Sequence, residues 1–185
     1  MNIFILHVVA RICARMHCDV HVVKQILEAA QMMVAALVAN GHDPADMPLS
    51  SSGRPYGVTH KNHPCTLWAG ESNANFRWLG RFGLALGEEF LYRKRSADNK
   101  HPLSAIDKPH RCVEVIEQLI AMHEAKPFTD KTDEMTPFKQ CMPDEFRSED
   151  TVLSYREYYK SKVFKNTISG RPEWNGLRPA PEWWS

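Results

Sequence analysis

The chain has 185 residues, a length typical of one domain that buries a core without cross-links. Its 23 basic and 22 acidic residues leave a formal net charge of +1, which excludes a protein that coats nucleic acid through a general basic surface. The cysteines number five and form no CxxC pair, which favours reduced thiols over a disulfide framework. We expect one cytoplasmic domain over residues 1–185, with neither a signal peptide nor a transmembrane segment.

The apolar pattern predicts an all-α domain, with at most one short strand near the N terminus. Residues 3–9, IFILHVV, are rich in the β-branched and aromatic residues typical of a buried strand or extended segment. A helix is predicted over residues 20–39, with Asp19 as its N-cap and an Asn-Gly pair after its last turn. Residues 42–62 contain many prolines, glycines and serines and predict a loop long enough to act as a lid or binding loop.

A second helical region begins at Pro64, restarts at Ser72 and runs over residues 73–93. It contains three glycines, each of which costs about 1 kcal/mol relative to alanine inside a helix. These are Gly80, Gly83 and Gly87. Their spacing predicts that another backbone or a ligand packs close to this helix.

Two further helices are predicted in the second half of the chain, over residues 111–125 and 149–165. The segments between the predicted helices contain prolines, which end helices. The last segment, residues 166–185, is rich in proline and tryptophan. We expect this tail to pack back onto the helical domain, because large apolar side chains are seldom left exposed in clusters.

A line of polar residues follows one face of the first long helix: His21, Lys24, Glu28 and Gln31 stand at i, i+3, i+7 and i+10. Most other positions of this helix are apolar, as in a buried helix. Buried lysine and glutamate need partners, so the line is predicted to face a polar cleft on the second helical region. In that cleft Glu28 would act as general acid or base beside Lys24 and His21. A plain solvent-facing stripe is the alternative.

The second helical region carries a matching set of candidate substrate-binding residues. With Gln31 of the first helix, the set is His63, Trp68, Ser72, Asn75, Glu89 and Arg93. Glu89 and Arg93 are spaced as an i, i+4 ion pair, which is usually solvated. Glu89, however, lies on the apolar side of the helix and therefore needs a partner.

Metal binding is predicted to be absent. The two nearest patterns are His17-Cys18 with His21, and His60-x-x-His63, and neither is a closed zinc signature. The chain contains no P-loop, no GxGxxG and no HExxH motif. We therefore predict neither a metal nor a cofactor.

Several segments resemble, in order along the chain, a family of small proteins common in tailed phages. They are HCDVHVVKQILEAAQ, THKNHPCTLWAGESNANFRWL, LGEEFLYR, CMPDEFR, YREYYKSKVF and PEWW. The order of a histidine and a Leu-Glu pair, then His-Pro, Trp, Glu and Arg, is similar to that of pyrimidine-dimer DNA glycosylases of the endonuclease V type. It is also similar to that of small helical proteins proposed to transfer amino acids onto hypermodified thymine in phage DNA.

The resemblance implies an all-α fold, a catalytic Glu28, DNA as the substrate and the host cytoplasm as the location. The glycosylases use an N-terminal amine that is exposed when Met1 is removed, and Asn2 is large enough to block that removal. Their arginine-rich stretch around the glutamate is absent here as well. Transfer of an amine or amino acid to the base is therefore the preferred reaction, and glycosylase chemistry is the alternative.

An extruded pyrimidine needs aromatic side chains to stack on and amides to read its edge. The candidates for stacking are Trp68, Trp78, Tyr155 and Tyr159, and those for reading are Asn75 and Gln31. The candidate DNA-contacting patch consists of Lys61, Arg93, Lys94, Arg95 and Lys100. Two other classes stay open: a non-catalytic binder of a nucleotide or small signal molecule, and a structural protein whose polar line is a satisfied core network. No membrane partner is expected.

Overall fold

Six α-helices make up most of the part of the chain that the computed structural model describes, which is residues 1–97, 108–164, 170–174 and 178–184. The helices are α1 (Ala10–Met16), α2 (Asp19–Ala39), α3 (Pro64–Glu71), α4 (Asn73–Ala97), α5 (Cys112–Ala125) and α6 (Thr151–Lys160). Short 3₁₀ turns occur at Pro44–Asp46, Asp144–Phe146 and Glu182–Trp184. These ranges contain no strand, only one isolated bridge between Leu49 and Pro55. The predicted all-α class is confirmed.

Helices α2 and α4 form the centre of the fold. Both contact each other, α3 and α5, and α4 also contacts α1. Their shared core includes Ile26 and Met33 of α2 and Phe76 and Phe82 of α4, all fully buried. By length and composition α2 could cross a membrane, since its most apolar window has a mean hydropathy of 1.5, but 67% of that window is buried inside the protein. An apolar helix surrounded by other helices shows the same composition.

The N-terminal residues form a buried extended segment rather than a strand. Ile3, Ile5 and Leu6 are buried in the core and pair with no strand among the described residues. The short helix α1, which the apolar pattern did not predict, follows directly. Helix α2 begins at Asp19, with Cys18 at the N-cap position, so the prediction of Asp19 as the N-cap is wrong by one residue.

Two helix ends show how local side chains set the boundaries. His63 precedes α3, and its Nδ1 accepts a hydrogen bond from Cys65 N–H at 3.2 Å. Ser72 separates α3 from α4, and its Oγ accepts a hydrogen bond from Asn75 N–H at 3.0 Å. Such side-chain oxygens and nitrogens satisfy backbone donors that have no partner inside the helix. The predicted break at Ser72 is therefore confirmed.

The three glycines of α4 face α5, which accounts for their spacing. A Cβ atom at Gly83 would lie 2.6 Å from Ile116 Cδ1, and one at Gly87 would lie 2.5 Å from Val113 Cγ2. Side chains of α5 therefore occupy the space that larger residues on α4 would need. The predicted close approach is made by apolar side chains rather than by a ligand.

The described parts of the tail, residues 170–174 and 178–184, lie against α1 and α4. Trp174 donates from Nε1 to the carbonyl of Met16 at 3.2 Å, and Trp183 approaches Met16 Sδ at 3.4 Å. Arg178 donates to both carboxylate oxygens of Glu89, at 2.7 and 3.0 Å. The predicted tail also includes residues 166–169, 175–177 and 185, which lie outside the described residues.

Candidate active site

A pocket of about 400 Å³ lies between the N-terminal segment, the first half of α2 and the chain that follows α6. This volume is within the range of small-molecule sites in proteins. Its lining residues are Met1, Asn2, Phe4, His21, Lys24, Gln25, Glu28, Cys141, Tyr158, Lys162, Val163 and Phe164. They include three of the four residues of the predicted polar line, which therefore faces this pocket and not α4. The prediction that the line faces the second helical region is wrong.

Glu28 is the buried carboxylate of the pocket, with 7% of the residue exposed. Its Oε2 accepts hydrogen bonds from the backbone N–H of Asn2 at 3.1 Å and from Gln25 Nε2 at 2.9 Å. Its Oε1 lies 3.7 Å from Lys24 Nζ and 3.9 Å from the amino group of Met1. One oxygen is thus held by neutral donors while the other lies beside two amines. Such an arrangement can hold a negative charge and exchange a proton.

Gln25 is a site residue that the sequence analysis missed. Its side chain is buried and lines the pocket, and Nε2 is committed to Glu28. Its Oε1 is buried without a hydrogen-bond partner among the described residues. A buried acceptor without a partner costs free energy, and a bound ligand that donates an N–H or O–H would remove this cost. The spacing could have identified it, because position 25 lies four residues after His21 and three before Glu28 and so shares the helix face of the polar line.

Aromatic rings and one further cation complete the pocket wall. Phe4, Tyr158 and Phe164 line it, and they come from the N-terminal segment, from α6 and from the chain after α6. Lys162 Nζ donates to the hydroxyl of Tyr158 at 2.6 Å and lies 3.9 Å from the centre of that ring. A flat, apolar wall beside cations suits an aromatic ring that carries an anionic group.

His21 lies between the pocket and the core. Its ring stacks on Phe4, with the ring centres 4.7 Å apart, and its Nδ1 shares a 2.7 Å hydrogen bond with the hydroxyl of Tyr159. Burial, with smaller contributions from nearby cations, lowers the pKa of His21 to about 2. The ring is therefore neutral near pH 7, so its contacts orient Phe4 and the start of α2 rather than supply a positive charge.

A second set of reactive side chains adjoins the pocket, and the sequence analysis had named His63 of this set but neither of its two cysteines. One ligand-type atom each of His63, Cys65 and Cys141 lies within 4.8 Å of the others, and the two sulfurs are 3.4 Å apart. The hydrogen bond with Cys141 and burial raise the pKa of Cys65, whereas the hydrogen bond with Cys65 lowers the pKa of Cys141 to about 7. These are soft N and S ligands of the types that zinc takes. The sequence also contained a possible ligand set at His17, Cys18 and His21. These side chains instead make hydrogen bonds inside the fold.

Three of the predicted substrate-binding residues lie at the α3–α4 junction, away from the pocket. Trp68 is buried and donates from Nε1 to the carbonyl of Thr136 at 3.2 Å. Asn75 donates to the carbonyl of Trp68 and to Thr136 Oγ1, both at 2.7 Å, and Ser72 caps α4. Their polar groups are used in joining these two helices to the loop at Thr136. The structure does not bring them to the site of Glu28.

Glu89 and Arg93 form a separate charged cluster at the far end of α4. Arg93 is buried and donates to Asp19 Oδ1 at 2.9 Å, to Glu89 Oε2 at 3.3 Å and to the carbonyl of Arg15 at 3.1 Å. Glu89 also accepts from Arg178. The predicted DNA-contacting patch is therefore wrong at Arg93, whose guanidinium is used inside the fold. The side chain of Arg95 and all of Lys100 lie outside the described residues.

The residues predicted to surround an extruded base are not the ones that line the pocket. Trp78 is buried in the core and donates to the carbonyl of Val8 at 2.7 Å. Tyr155 and Tyr159 are fully buried, and their hydroxyls bond to Asn2 and Cys18. Gln31 is half-buried on α2 and does not line the pocket. Phe4, Tyr158 and Phe164 occupy the position that the sequence analysis assigned to other aromatic residues.

Comparison of the chain with protein-family models, curated proteins and solved structures finds no match. A functional assignment therefore rests on the chemistry of the pocket. It combines a buried carboxylate, two amines, an amide acceptor and aromatic walls in a space of small-molecule size. Those groups together can bind a planar, partly anionic molecule and move a proton on it.

Proposed function

We propose that this chain is a phage-type enzyme that acts on a pyrimidine base in DNA and transfers an amine or amino acid to it. The observation that carries the proposal is the placement of Glu28, a buried carboxylate held by Asn2 and Gln25 at an open pocket. Carboxylates in this setting serve as general acids or bases and typically contribute about 10²–10⁴-fold to a rate. The enzyme would work in the cytoplasm of the host cell.

The pocket offers the contacts that an extruded pyrimidine needs. Tyr158 and Phe164 line the pocket and are half-buried, and base stacking on such side chains is worth about 1–3 kcal/mol per base. The free Oε1 of Gln25 can accept a hydrogen bond from an N–H on the edge of the base. Lys162, at the same wall, can contact the phosphate of the extruded nucleotide.

The proposed chemistry uses Glu28 as the proton carrier. An incoming amine must lose a proton as its carbon–nitrogen bond to the base substituent forms, and the group that leaves that carbon must gain one. Glu28 can take the first proton and return it to the leaving group, because Oε1 is not held by a backbone donor. Lys24, whose Nζ lies 3.7 Å from Oε1, can contact the carboxylate before it takes the first proton and after it has returned it.

The test is nucleoside analysis of DNA from cells that express the chain. Total DNA from these cells is digested to nucleosides, and their masses are compared between the wild type and Glu28→Gln, which keeps the shape and removes the charge. We expect a modified pyrimidine nucleoside in the wild type and at least a 100-fold loss in the variant. Glu114→Gln, which changes an exposed carboxylate on α5, is the matched control and should behave as the wild type. Equal nucleoside masses with and without the protein would refute base modification.

A DNA glycosylase of the endonuclease V type is the second candidate, because two primary amines lie beside Glu28. An amine can attack the sugar carbon of a damaged nucleotide and form a Schiff base, which borohydride reduces to a stable covalent link. A protein–DNA adduct on DNA that contains pyrimidine dimers would favour this candidate. Tight binding of a free nucleotide, with neither an adduct nor a new nucleoside, would instead identify a non-catalytic binder.

A further inference from the structure

His63, Cys65 and Cys141 converge beside the pocket although Cys141 is far from the other two in the chain. Their ligand atoms lie within 4.8 Å of one another, and the sulfurs are 3.4 Å apart. No fourth histidine, cysteine or carboxylate joins this group in the part of the chain that the structure describes. Catalytic zinc sites use three protein ligands of these types and keep one position for water or substrate.

The surrounding structure holds the three side chains in place. Asn2 lies between the two cysteines, because its Nδ2 donates to the carbonyl of Cys141 at 2.7 Å and its Oδ1 accepts from Cys65 Sγ at 3.6 Å. The backbone N–H of Cys141 donates to the hydroxyl of Tyr155 at 3.1 Å. His63 and Cys65 are fixed by the first turn of α3. The cluster is thus built by four parts of the chain and is not a chance meeting of surface side chains.

We propose that His63, Cys65 and Cys141 bind a zinc ion and leave its fourth coordination position open toward the Glu28 pocket. Tetrahedral zinc with Zn–S bonds of about 2.3 Å separates two sulfurs by about 3.8 Å, so the observed sulfurs need to move apart by only a few tenths of an ångström. Cys141 itself lines the pocket, so the fourth position is reachable from it.

The ion would add a function to the pocket that the side chains alone lack. Zinc with one exchangeable position polarises a bound water or a substrate oxygen. Binding of the ion does not depend on the proposed function, and only its part in a reaction on DNA rests on that function. Zinc binding is therefore tested on the protein without DNA, so that zinc binding and the reaction on DNA can fail separately.

The experiment is a metal titration of the full chain after reduction and removal of metals by a chelator. We expect one zinc ion per chain in competition with a chromogenic chelator, and a thiolate-to-metal charge-transfer band when cobalt replaces zinc. Cys141→Ser and His63→Ala should weaken zinc binding more than about 100-fold, beyond the 10–100-fold loss typical of residues that only hydrogen-bond to a ligand. Circular dichroism checks that each variant is folded.

Two control variants change the same residue types outside the cluster. Cys112→Ser alters another buried thiol, and His60→Asn alters a neighbouring exposed histidine with a residue that tolerates its φ of 50°. Both should bind zinc as the wild type does. As a second measurement on the unmodified chain, zinc should slow alkylation of Cys141 at least tenfold.

Three results would overturn the proposal. The first is the absence of stoichiometric zinc binding by the reduced wild type. The second is equal zinc affinity in the cluster variants and the controls. The third is a Cys65–Cys141 disulfide, found by mass spectrometry, in a chain that takes up no zinc once it is reduced, which would make the cysteines a redox pair.

Discussion

Gln25 and Glu28, one turn apart on α2, are joined by a 2.9 Å hydrogen bond from Gln25 Nε2 to Glu28 Oε2. This bond fixes the orientation of the amide, so that Oε1 of Gln25 is the atom left without a partner. The same bond holds one oxygen of the carboxylate and leaves the other beside the amines. Gln25 therefore both orients Glu28 and offers an acceptor to a ligand.

Gln25→Leu should weaken ligand binding and reduce turnover together. The change removes an acceptor for the ligand and a donor to a charged carboxylate, and hydrogen bonds to charged groups are worth about 1.5–3 kcal/mol, or roughly 10–150-fold. The measurement is KM and kcat of the purified variant, with nucleotide binding by calorimetry as a second assay. Gln118→Leu, at an exposed position of α5, is the control. Unchanged constants in Gln25→Leu would remove this residue from the site.

Lys162→Met should reduce the salt dependence of DNA binding. If Lys162 neutralises one phosphate, the slope of log affinity against log salt should fall by about 0.7–0.9. Lys160→Met is the control, since Lys160 pairs with Glu157 at 3.1 Å and lies outside the pocket lining. The measurement is fluorescence anisotropy of labelled DNA over a series of salt concentrations. Parallel slopes for the wild type and Lys162→Met would show that this lysine does not contact phosphate.

Glu89→Gln should destabilise the fold without changing the chemistry. Glu89 is buried and pairs with Arg93 and Arg178, and removal of one partner from a buried ion pair costs about 3–5 kcal/mol. Urea denaturation measures the loss. Glu88→Gln is the control, because the Glu88 side chain is 66% exposed and pairs only weakly with Arg11, at 3.6 Å. If Glu89→Gln had normal stability but bound substrate more weakly, Glu89 would belong to the substrate-binding site.

Gly83→Ala should lower stability by up to about 2 kcal/mol, because overpacking a core costs about 1–3 kcal/mol and the better helix propensity of alanine returns about 1 kcal/mol. The new Cβ would lie 2.6 Å from Ile116 Cδ1. Ile116→Val removes that Cδ1 atom, so the double variant should be more stable than the sum of the single effects predicts. A double-mutant cycle by urea denaturation measures the coupling. Strict additivity would show that Ile116 does not limit position 83.

Stability should fall as the pH is lowered from about 6.5 toward 4. Burial lowers the pKa of His17 to about 4. The pKa of His123 is also lowered to about 4, and burial is the largest cause there too. Between the folded pKa and the unfolded value near 6.5, the unfolded chain binds more protons, so acid favours unfolding. The loss is on the order of 3 kcal/mol for His17. Below about pH 4 this contribution is fully lost.

The test of this pH dependence is urea denaturation of His17→Asn between pH 4 and 7.5. Asparagine can keep the donor to the carbonyl of Cys13 but does not titrate. The variant should show a flatter dependence of unfolding free energy on pH, whatever its stability at pH 7.5. His60→Asn, at an exposed histidine, should keep the wild-type slope. An unchanged slope in His17→Asn would mean that His17 does not titrate in this range.

Most of the helices could be predicted from the sequence because their signals are local, although α4 extends to Ala97, past the predicted residue 93, and α6 ends at Lys160, before the predicted residue 165. Apolar periodicity and an Asn-Gly stop predicted both ends of α2 to within one residue of the observed ends. Apolar periodicity likewise predicted the start of α5 to within one residue. Helix α1 was missed because it follows an apolar segment that shows no helical period. The polar line on α2 likewise brought His21, Lys24 and Glu28 together, since residues three and four apart share a face of one helix.

The rest of the site depends on contacts between segments that are distant in the chain. Phe4 and Tyr158 meet at the pocket only after the N-terminal segment packs against α6, and Cys141 reaches Cys65 across 76 residues of chain. Periodicity shows which residues share a face of one helix, but it does not show which faces meet. Burial and packing decide that. They also took two residues out of the predicted cleft, because Arg93 pairs with Asp19 and Glu89 pairs with Arg178. The sequence alone therefore determined most of the helices and the carboxylate Glu28, whereas tertiary packing decided which side chains surround it.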